Sequence, residues 1–390
     1  MAINLARRAP SFEASVVREL LTVGERPGMR SLAGGLPDPD LFPAERLETA
    51  TRAVLRTPAR AERALQYGPT EGLAELRDRL TVTPAVQRVA HVAADDLVVT
   101  SGSQQALHLL ATVLVDPGDS VVVDDPCYLG ARQVLQAAGA RLAGIPLDGD
   151  GLRVDLLADR LRAGLRPRLV YTVPAYQNPS GAVLSADRRA ALVALARRYG
   201  FVVIEDDAYA ALGFGPGYEQ PAPLGTDAPD VVVTVGTVSK VLAPGLRVGW
   251  LRAPEVVRAA VLRAKQAFDL HTSTFTQSVV AEILSDAAFL ERHLARLRPR
   301  YAVRSAALAG ALAGDRVSFA TPRGGLFLWV ELRGVDTTAL FETALAHDIM
   351  FVPGRAFAVE EHWCNHARLS FATLPESTLR ACADELLSLV

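Results

Sequence analysis

The chain has 390 residues, half of them hydrophobic, and a formal charge of −2. That length exceeds what one hydrophobic core usually organises, so two domains are expected, and the near-neutral charge gives no sign of a nucleic-acid or membrane partner. No uninterrupted apolar run reaches membrane-span length, and the opening residues lack an apolar signal core, so the expected compartment is the cytoplasm.

In chain order, the first periodic stretch predicts a short helix over residues 15–21. Residues 31–43 (SLAGGLPDPDLFP) form a loop by composition, where Gly34 and Gly35 permit close backbone approach. That approach serves either a tight turn or a loop covering a site. Residues 44–56 read as a helix, and 65–73 (LQYGPTEGL) as a loop carrying Tyr67 beside a Gly-Pro pair. From residue 97 the pattern becomes strand, helix, strand. Strands are predicted at 97–100, 120–123, 141–146, 168–173, 201–204, 231–235 and 246–251, with helical patterns at 101–115, 129–138, 154–163, 186–198 and 254–266. This alternation predicts an α/β fold: a mainly parallel, seven-stranded sheet sandwiched by helices. Long helices then run to about residue 312, with Pro299 as a point of kinking. Strands at 317–319, 326–332, 349–352 and 367–371 and helices at 337–346 and 376–390 make a smaller α/β unit. The expected division is 1–44 as a segment packing with the small domain, 45–285 as the large domain and 286–390 as the small one.

Cys127, Cys364 and Cys382 are few, odd in number and unpatterned, which suits a reducing compartment. The seven histidines are scattered, so no protein-built metal site is expected.

In parallel α/β sheets, ligands sit beyond the carboxyl ends of the strands. The unusual residues collect there: Asp124-Asp125-Pro126-Cys127-Tyr128, Pro174 to Gly181 (PAYQNPSG), and Glu205-Asp206-Asp207-Ala208-Tyr209. Ser101-Gly102-Ser103-Gln104 opens a helix, whose free N–H groups make a natural phosphate seat. The most informative stretch is 231–250, VVVTVGTVSKVLAPGLRVGW. A β-branched run stops at Gly236, and Thr237, Ser239, Lys240 and Arg247 follow. Lysine is scarce in this chain, where arginine supplies most of the basic groups. A lysine flanked by hydroxyls and an arginine suggests an amine that bonds a carbonyl cofactor whose anion is held nearby, which describes pyridoxal phosphate. The alternative is a surface lysine that snorkels after a strand.

Such a cofactor needs particular neighbours. A buried carboxylate keeps the pyridine nitrogen protonated, and Asp206 can supply it. Asn178 and Tyr209 can donate to the phenolic oxygen. Tyr209 follows Asp206 by three residues, so one turn can present both. Tyr128 offers a ring to stack on. Ser103, Gln104, Thr237, Ser239 and Arg247 offer N–H groups, hydroxyls and a cation to the phosphate. Arg368, within an apolar strand, can either bind a substrate carboxylate or form a structural salt bridge.

Together these motifs resemble the fold-type I pyridoxal-phosphate aminotransferases of class I/II. LAGGLPD, LQYGPTEG, TSGSQQAL, DDPCYLGA, PAYQNPSG, EDDAYA, GTVSKVLAPGLRVGW, GGLFLWVEL, VPGRAF and RLSFA occur in family order over essentially the whole chain. Within the family the chain is most similar to the 2-aminoadipate and kynurenine aminotransferase branch, a fold shared by aminotransferase-like transcription regulators. The resemblance implies that Lys240 forms the aldimine and acts as base, Asp206 pairs with the pyridine nitrogen, and Asn178 and Tyr209 meet the phenolic oxygen. It implies that Arg368 binds the α-carboxylate, that Gly35 lines the substrate side, and that Tyr67 reaches the phosphate of a second subunit in a homodimer. It further implies cis peptides at Asp125-Pro126 and Asn178-Pro179. Val238 departs from the family, which commonly has phenylalanine there. Arg18 matches a place where the branch can read a distal carboxylate, though a surface salt bridge with Glu19 serves equally. The implied reaction is ping-pong transfer of an amino group between an L-amino acid and a 2-oxo acid. Candidate substrates are 2-aminoadipate, glutamate, or aromatic or branched amino acids. Another Cα chemistry (cyclase, decarboxylase or racemase) on the same fold is the rival. A cofactor-sensing regulator is disfavoured, because the match begins almost at the first residue and no basic excess exists.

Overall fold

The computed structural model describes residues 4–5, 9, 26–83, 92–215 and 222–390. The expected helix at 15–21, and Arg18 with it, lies outside the described residues. β1 (Arg30–Ser31) precedes α1 (Ala44–Leu55), α2 (Pro58–Leu65) and α3 (Ala74–Thr81). The alternating region holds β2 (Leu97–Thr100), α4 (Ser103–Leu114), β3 (Ser120–Asp125), α5 (Leu129–Ala137), β4 (Arg141–Asp148), β5 (Gly151–Leu152), α6 (Val154–Arg162) and β6 (Leu169–Thr172). It continues with α7 (Ala186–Tyr199), β7 (Val202–Asp206), β8 (Val232–Thr237) and β9 (Gly249–Arg252). Three helices follow: α8 (Glu255–Phe268), α9 (Thr274–Ile283) and α10 (Phe289–Leu312). The last part comprises β10 (Val317–Ser318), β11 (Phe327–Leu332), α11 (Thr337–Ala346), β12 (Ile349–Met350), β13 (Val352–Pro353), β14 (His366–Ser370) and α12 (Glu376–Ser388).

The first sheet has the order β2-β9-β8-β7-β6-β3-β4-β5. Strands β8, β7, β6, β3 and β4 run parallel, and β9 runs antiparallel to both its neighbours. The seven expected strands are all present. The eighth, β5, is a two-residue return of β4, too short to leave a periodic signal. Alternate residues of the central strands feed different cores. Val121, Val123, Leu169, Tyr171 and Ile204 join one cluster. Val122, Val170 and Val203 join the other, against Leu157 and Leu161 of α6 and Leu192 and Ala196 of α7. Burial on both faces explains why these strands read as continuous apolar runs.

The second sheet is antiparallel, in the order β10-β11-β14-β13. Strand β1 pairs parallel with β12, outside it. Helices α2 and α3 go beyond the sequence expectation. Each has eight residues, and α2 buries only Ala64, so neither develops an apolar stripe long enough to read. The start of α2 does carry a signal: Thr57 accepts from the Arg60 N–H, and Pro58 occupies the first turn. Strand β9 begins at Gly249, not at 246, because Arg247 adopts φ +48° and breaks the extended run. Pro299 lies within α10, which continues through it.

The peptides Asp125-Pro126 and Asn178-Pro179 are both cis. Asp125, wholly buried at the end of β3, ties the two sheets' surroundings together. It accepts from the backbone N–H groups of Val359 (3.3 Å), Glu360 (2.8 Å) and Glu361 (2.9 Å) and from Trp363 Nε1 (2.7 Å). A charged acceptor lost from such a cluster strands several donors at once. Replacing Asp125 by Ala is therefore expected to destabilise the protein by about 2–4 kcal/mol, read as a lowered urea midpoint. A midpoint unchanged from the parent protein would remove this residue's structural role.

Candidate active site

The polar turns converge because of strand direction. β3, β6, β7 and β8 are parallel, so their carboxyl ends share one edge. β2 joins them because it is antiparallel to β9, which is antiparallel to β8. The reversed β9 enters the sheet at this same edge, which brings Arg247, just ahead of it, to the other turns. A cavity of about 130 Å³ lies there, lined by Ser103, Gln104, Tyr128, Asn178, Asp206, Tyr209, Thr237, Ser239, Lys240 and Arg247, with Val173, Ala208 and Pro244. Every polar and aromatic residue in that lining is a candidate from the sequence.

Asp206, the last residue of β7, is 3% exposed. Its Oδ2 accepts from the Tyr171 hydroxyl at 2.9 Å, and its Oδ1 is buried with no hydrogen-bond partner among the described residues. Burial pushes this carboxyl up to about 6; the Tyr171 hydrogen bond and the Lys240 charge pull it down, and Asp207 pushes with burial. Lys240 is half-buried, and its Nζ donates to the Gly35 carbonyl at 2.8 Å and sits 5.9 Å from the centre of the Tyr209 ring. Burial lowers its amine to about 8, and Arg368 and Arg247 add to that while Asp206 opposes it.

The candidate anion seat lies at the start of α4. Its N-cap is Gly102, at φ +82°, with no side-chain cap, so first-turn N–H groups are left to meet an anion. Arg247 Nη2 donates to the Ser101 carbonyl at 3.0 Å, and its own backbone is left-handed, a strain typical of functional positions. Opposite, the Thr237 and Ser239 hydroxyls lie 2.9 Å apart, and the Ser239 N–H donates to Thr237 Oγ1 at 3.1 Å. Gln104 Nε2 donates to the Gly130 carbonyl at 3.0 Å. A Cβ at Gly130 would come within 2.6 Å of Tyr128 Cζ, so glycine is what admits the tyrosine ring here.

Arg368 comes from β14 on the second sheet. Its guanidinium lies between the rings of Phe327, 4.3 Å from the centroid, and Phe357, 5.0 Å away. Nη1 donates to Asn178 Oδ1 at 2.9 Å and Nη2 to the Ala33 carbonyl at 2.5 Å, while Nε is buried without a partner among the described residues. Burial lowers it to about 10. Asn178 also reaches the Tyr209 hydroxyl through Nδ2, at 3.5 Å, so one amide touches residues from both sheets. The loop bearing Ala33 and Gly35 is fixed by β1 pairing with β12 and by Asp38, whose carboxylate meets Arg304 at 2.7 Å in a buried ion pair.

Among the described candidates, Gly35 and Arg368 lie outside the cavity lining but touch Lys240 and Asn178 in it, and Tyr67 stands apart. Tyr67 is 78% exposed and meets the His271 ring edge-on at 5.7 Å. Arg18 lies outside the described residues. Three contributors escape the sequence reading: Tyr171, Phe327 and Phe357. Tyr171 sits in a fully buried strand and reads as core, yet a buried phenol requires a partner.

Pyridoxal phosphate fits these residues. Asp206 has a bare carboxylate oxygen for a pyridinium N–H, Lys240 a partly neutral amine for an aldehyde, and the α4 turn N–H groups, hydroxyls and an arginine for a phosphate. Among the described residues no group of three His, Cys, Asp or Glu side chains is placed to hold a metal ion.

Comparison with known proteins agrees. The family model for aminotransferase class I and II matches residues 39–386. Aromatic-amino-acid aminotransferase 1 of Thermococcus litoralis is 38% identical over 384 residues, covering 96% of this chain and 91% of that protein. The 2-aminoadipate transaminase of Thermus thermophilus is 38% identical over 375 residues, covering 94% and 91%. The crystal structure of LysN, the alpha-aminoadipate aminotransferase of Thermus thermophilus, is a complex with N-(5'-phosphopyridoxyl)-L-leucine; it superposes with a TM-score of 0.89 at 36% identity over 99% of this chain and 98% of that one. The fold is that of the fold-type I pyridoxal-phosphate enzymes. The chain belongs to the aminotransferase class I and II family, and is a transaminase whose cofactor is pyridoxal phosphate.

Proposed function

We propose that Lys240 holds the cofactor covalently through its amine, that Asp206 Oδ1 meets the pyridine nitrogen, and that Asn178 and Tyr209 donate to the phenolic oxygen. Tyr128 stacks on the ring, and Ser103, Gln104, Thr237, Ser239 and Arg247 hold the phosphate. Arg368 takes the substrate α-carboxylate, and Gly35 lines the same side. The observation that carries this reading is the buried, unpartnered Asp206 Oδ1 in the cavity that Lys240 also lines. A bare buried carboxylate oxygen is costly, and a cationic N–H donor offsets that cost.

When bound, the cofactor supplies an electron sink for the charge left at Cα as its proton departs. Lys240 moves that proton as general base. With its amine near 8, about a tenth is neutral at pH 7, against under a thousandth at the ordinary lysine value. Arg368 orients Cα by gripping the carboxylate, and the flanking phenyl rings keep its guanidinium in plane. The proposed donors are 2-aminoadipate or glutamate, or aromatic or branched L-amino acids, each paired with a 2-oxo acid. The 2-aminoadipate and aromatic donors are supported by the names of the relatives at 38% identity.

The proposed assembly is a cytoplasmic homodimer with shared sites, its chain divided at about residues 45 and 285. Leu65, Tyr67, Phe268 and Leu270 are 68%, 78%, 60% and 51% exposed, and Tyr67 touches His271 next to Leu270. Such a patch suits burial against a second copy. Among the described residues no helix is long and apolar enough to cross a membrane.

Given one donor alone, the enzyme is expected to accumulate pyridoxamine phosphate, read by absorbance, and a donor panel names the substrate. Lys240→Ala lowers turnover by about 10²–10⁴-fold and leaves no pyridoxyl group on the protein after borohydride; turnover at the parent rate would defeat the assignment. Uptake of pyridoxal phosphate by cofactor-free protein requires the neutral amine. Its rate therefore rises with pH and levels off above about 8, and a rate still climbing at about pH 10 would mean an ordinary lysine. Sedimentation equilibrium returns twice the 41.7 kDa chain mass, a single chain mass excluding the dimer.

A further inference from the structure

The chain contains 41 basic residues of the Lys and Arg type, and only two are lysines, Lys240 and Lys265. Lys265, on α8, is 0% exposed. A buried ammonium needs a reason, because desolvation penalises it and arginine serves elsewhere in this chain. Its Nζ donates to Gln105 Oε1 (3.1 Å), to both oxygens of Asp269 (2.9 and 3.0 Å) and to Thr272 Oγ1 (3.2 Å). These acceptors surround a point, and a compact tetrahedral ammonium suits them where a planar guanidinium fork does not.

The contacts lead to the anion seat. Gln105 Oε1 also accepts from the Ser101 N–H at 2.8 Å, and Gln105 Nε2 donates to Asp269 Oδ2 at 2.6 Å. From the other side Arg247 Nη2 donates to the Ser101 carbonyl at 3.0 Å. The peptide groups at Ser101 are thus gripped by a cavity-lining arginine on one side and by the Lys265 network on the other. Thr272 extends the network to strand β2, approaching the Val99 carbonyl at 3.3 Å.

We infer that Lys265 is a positioning residue for phosphate binding: through Gln105 it fixes the Ser101-Gly102-Ser103 turn so that the first N–H groups of α4 are aimed at the cofactor's phosphate. The inference rests on the proposed phosphate seat. Lys265 lies behind the turn, so it acts through Gln105.

The test compares two ligands on cofactor-free protein: pyridoxal phosphate and pyridoxal, which lacks the phosphate. The ratio of their Kd values isolates the phosphate's contribution to binding. For Lys265→Met the preference for the phosphorylated ligand is expected to fall about tenfold, with pyridoxal affinity unchanged. An unchanged ratio, or equal weakening of both ligands, overturns the inference. Should Lys265→Met fail to fold, Gln105→Met breaks the same link from its other end and is judged by the same ratio. The parent protein separates the two readings: no preference for the phosphorylated ligand there would mean that the seat itself is misassigned, whatever Lys265 does.

Discussion

A carboxylate held at the end of a buried strand, with one oxygen bonded and the other bare, sets the terms for the rest of this molecule. Asp206 cannot turn toward water, because β7 is covered on both faces. Tyr171, from the neighbouring strand, donates to Oδ2 and so fixes which oxygen is left over. The same dry surroundings that raise Asp206 lower Lys240. Desolvation acts on both groups against their charged forms. One physical effect thereby gives the cavity a less acidic carboxyl and a less basic amine.

The second sheet contributes a different kind of order. Arg368 arrives on β14, the Ala33–Gly35 loop is tied to β12 and α10, and Asn178 meets the arginine from the first sheet. The surroundings of Arg368, beside the cavity, therefore depend on two sheets keeping their relative placement. Asp125 serves that end with a cluster of hydrogen bonds to residues 359–363, far from the reacting groups. Its place in a conspicuous Asp-Asp-Pro turn makes it resemble a ligand-binding residue, yet its partners are backbone N–H groups and an indole.

Legibility follows the length scale of each signal. Parallel strands buried on both sides are runs of β-branched residues, and a chain can be read for them directly. Turns at their carboxyl ends stand out because each carries a polar group that a core strand would not tolerate, so Lys240, Asp206, Asn178 and Ser103 can be picked out one by one. The two-residue β5 and the eight-residue α2 and α3 fall below the span over which periodicity develops. Tyr171 is hidden for another reason: its ring satisfies the core, and only the location of its hydroxyl reveals a second role. Lys265 is hidden likewise, in an amphipathic helix where a lysine passes for a solvated one. The partners of Arg368, two phenyl rings and Asn178, cannot be read from its place in an apolar strand.

The near absence of lysine has a practical side. Lys265 is sealed in the interior and Lys240 faces the cavity, so the folded exterior presents amine-directed reagents with no lysine ammonium at all. Of the two lysines in this sequence, acylating dyes, cross-linkers and activated resins would reach only Lys240. Chemical labelling of this protein thus doubles as an occupancy gauge, since whatever fills the cavity also shields the one lysine within reach.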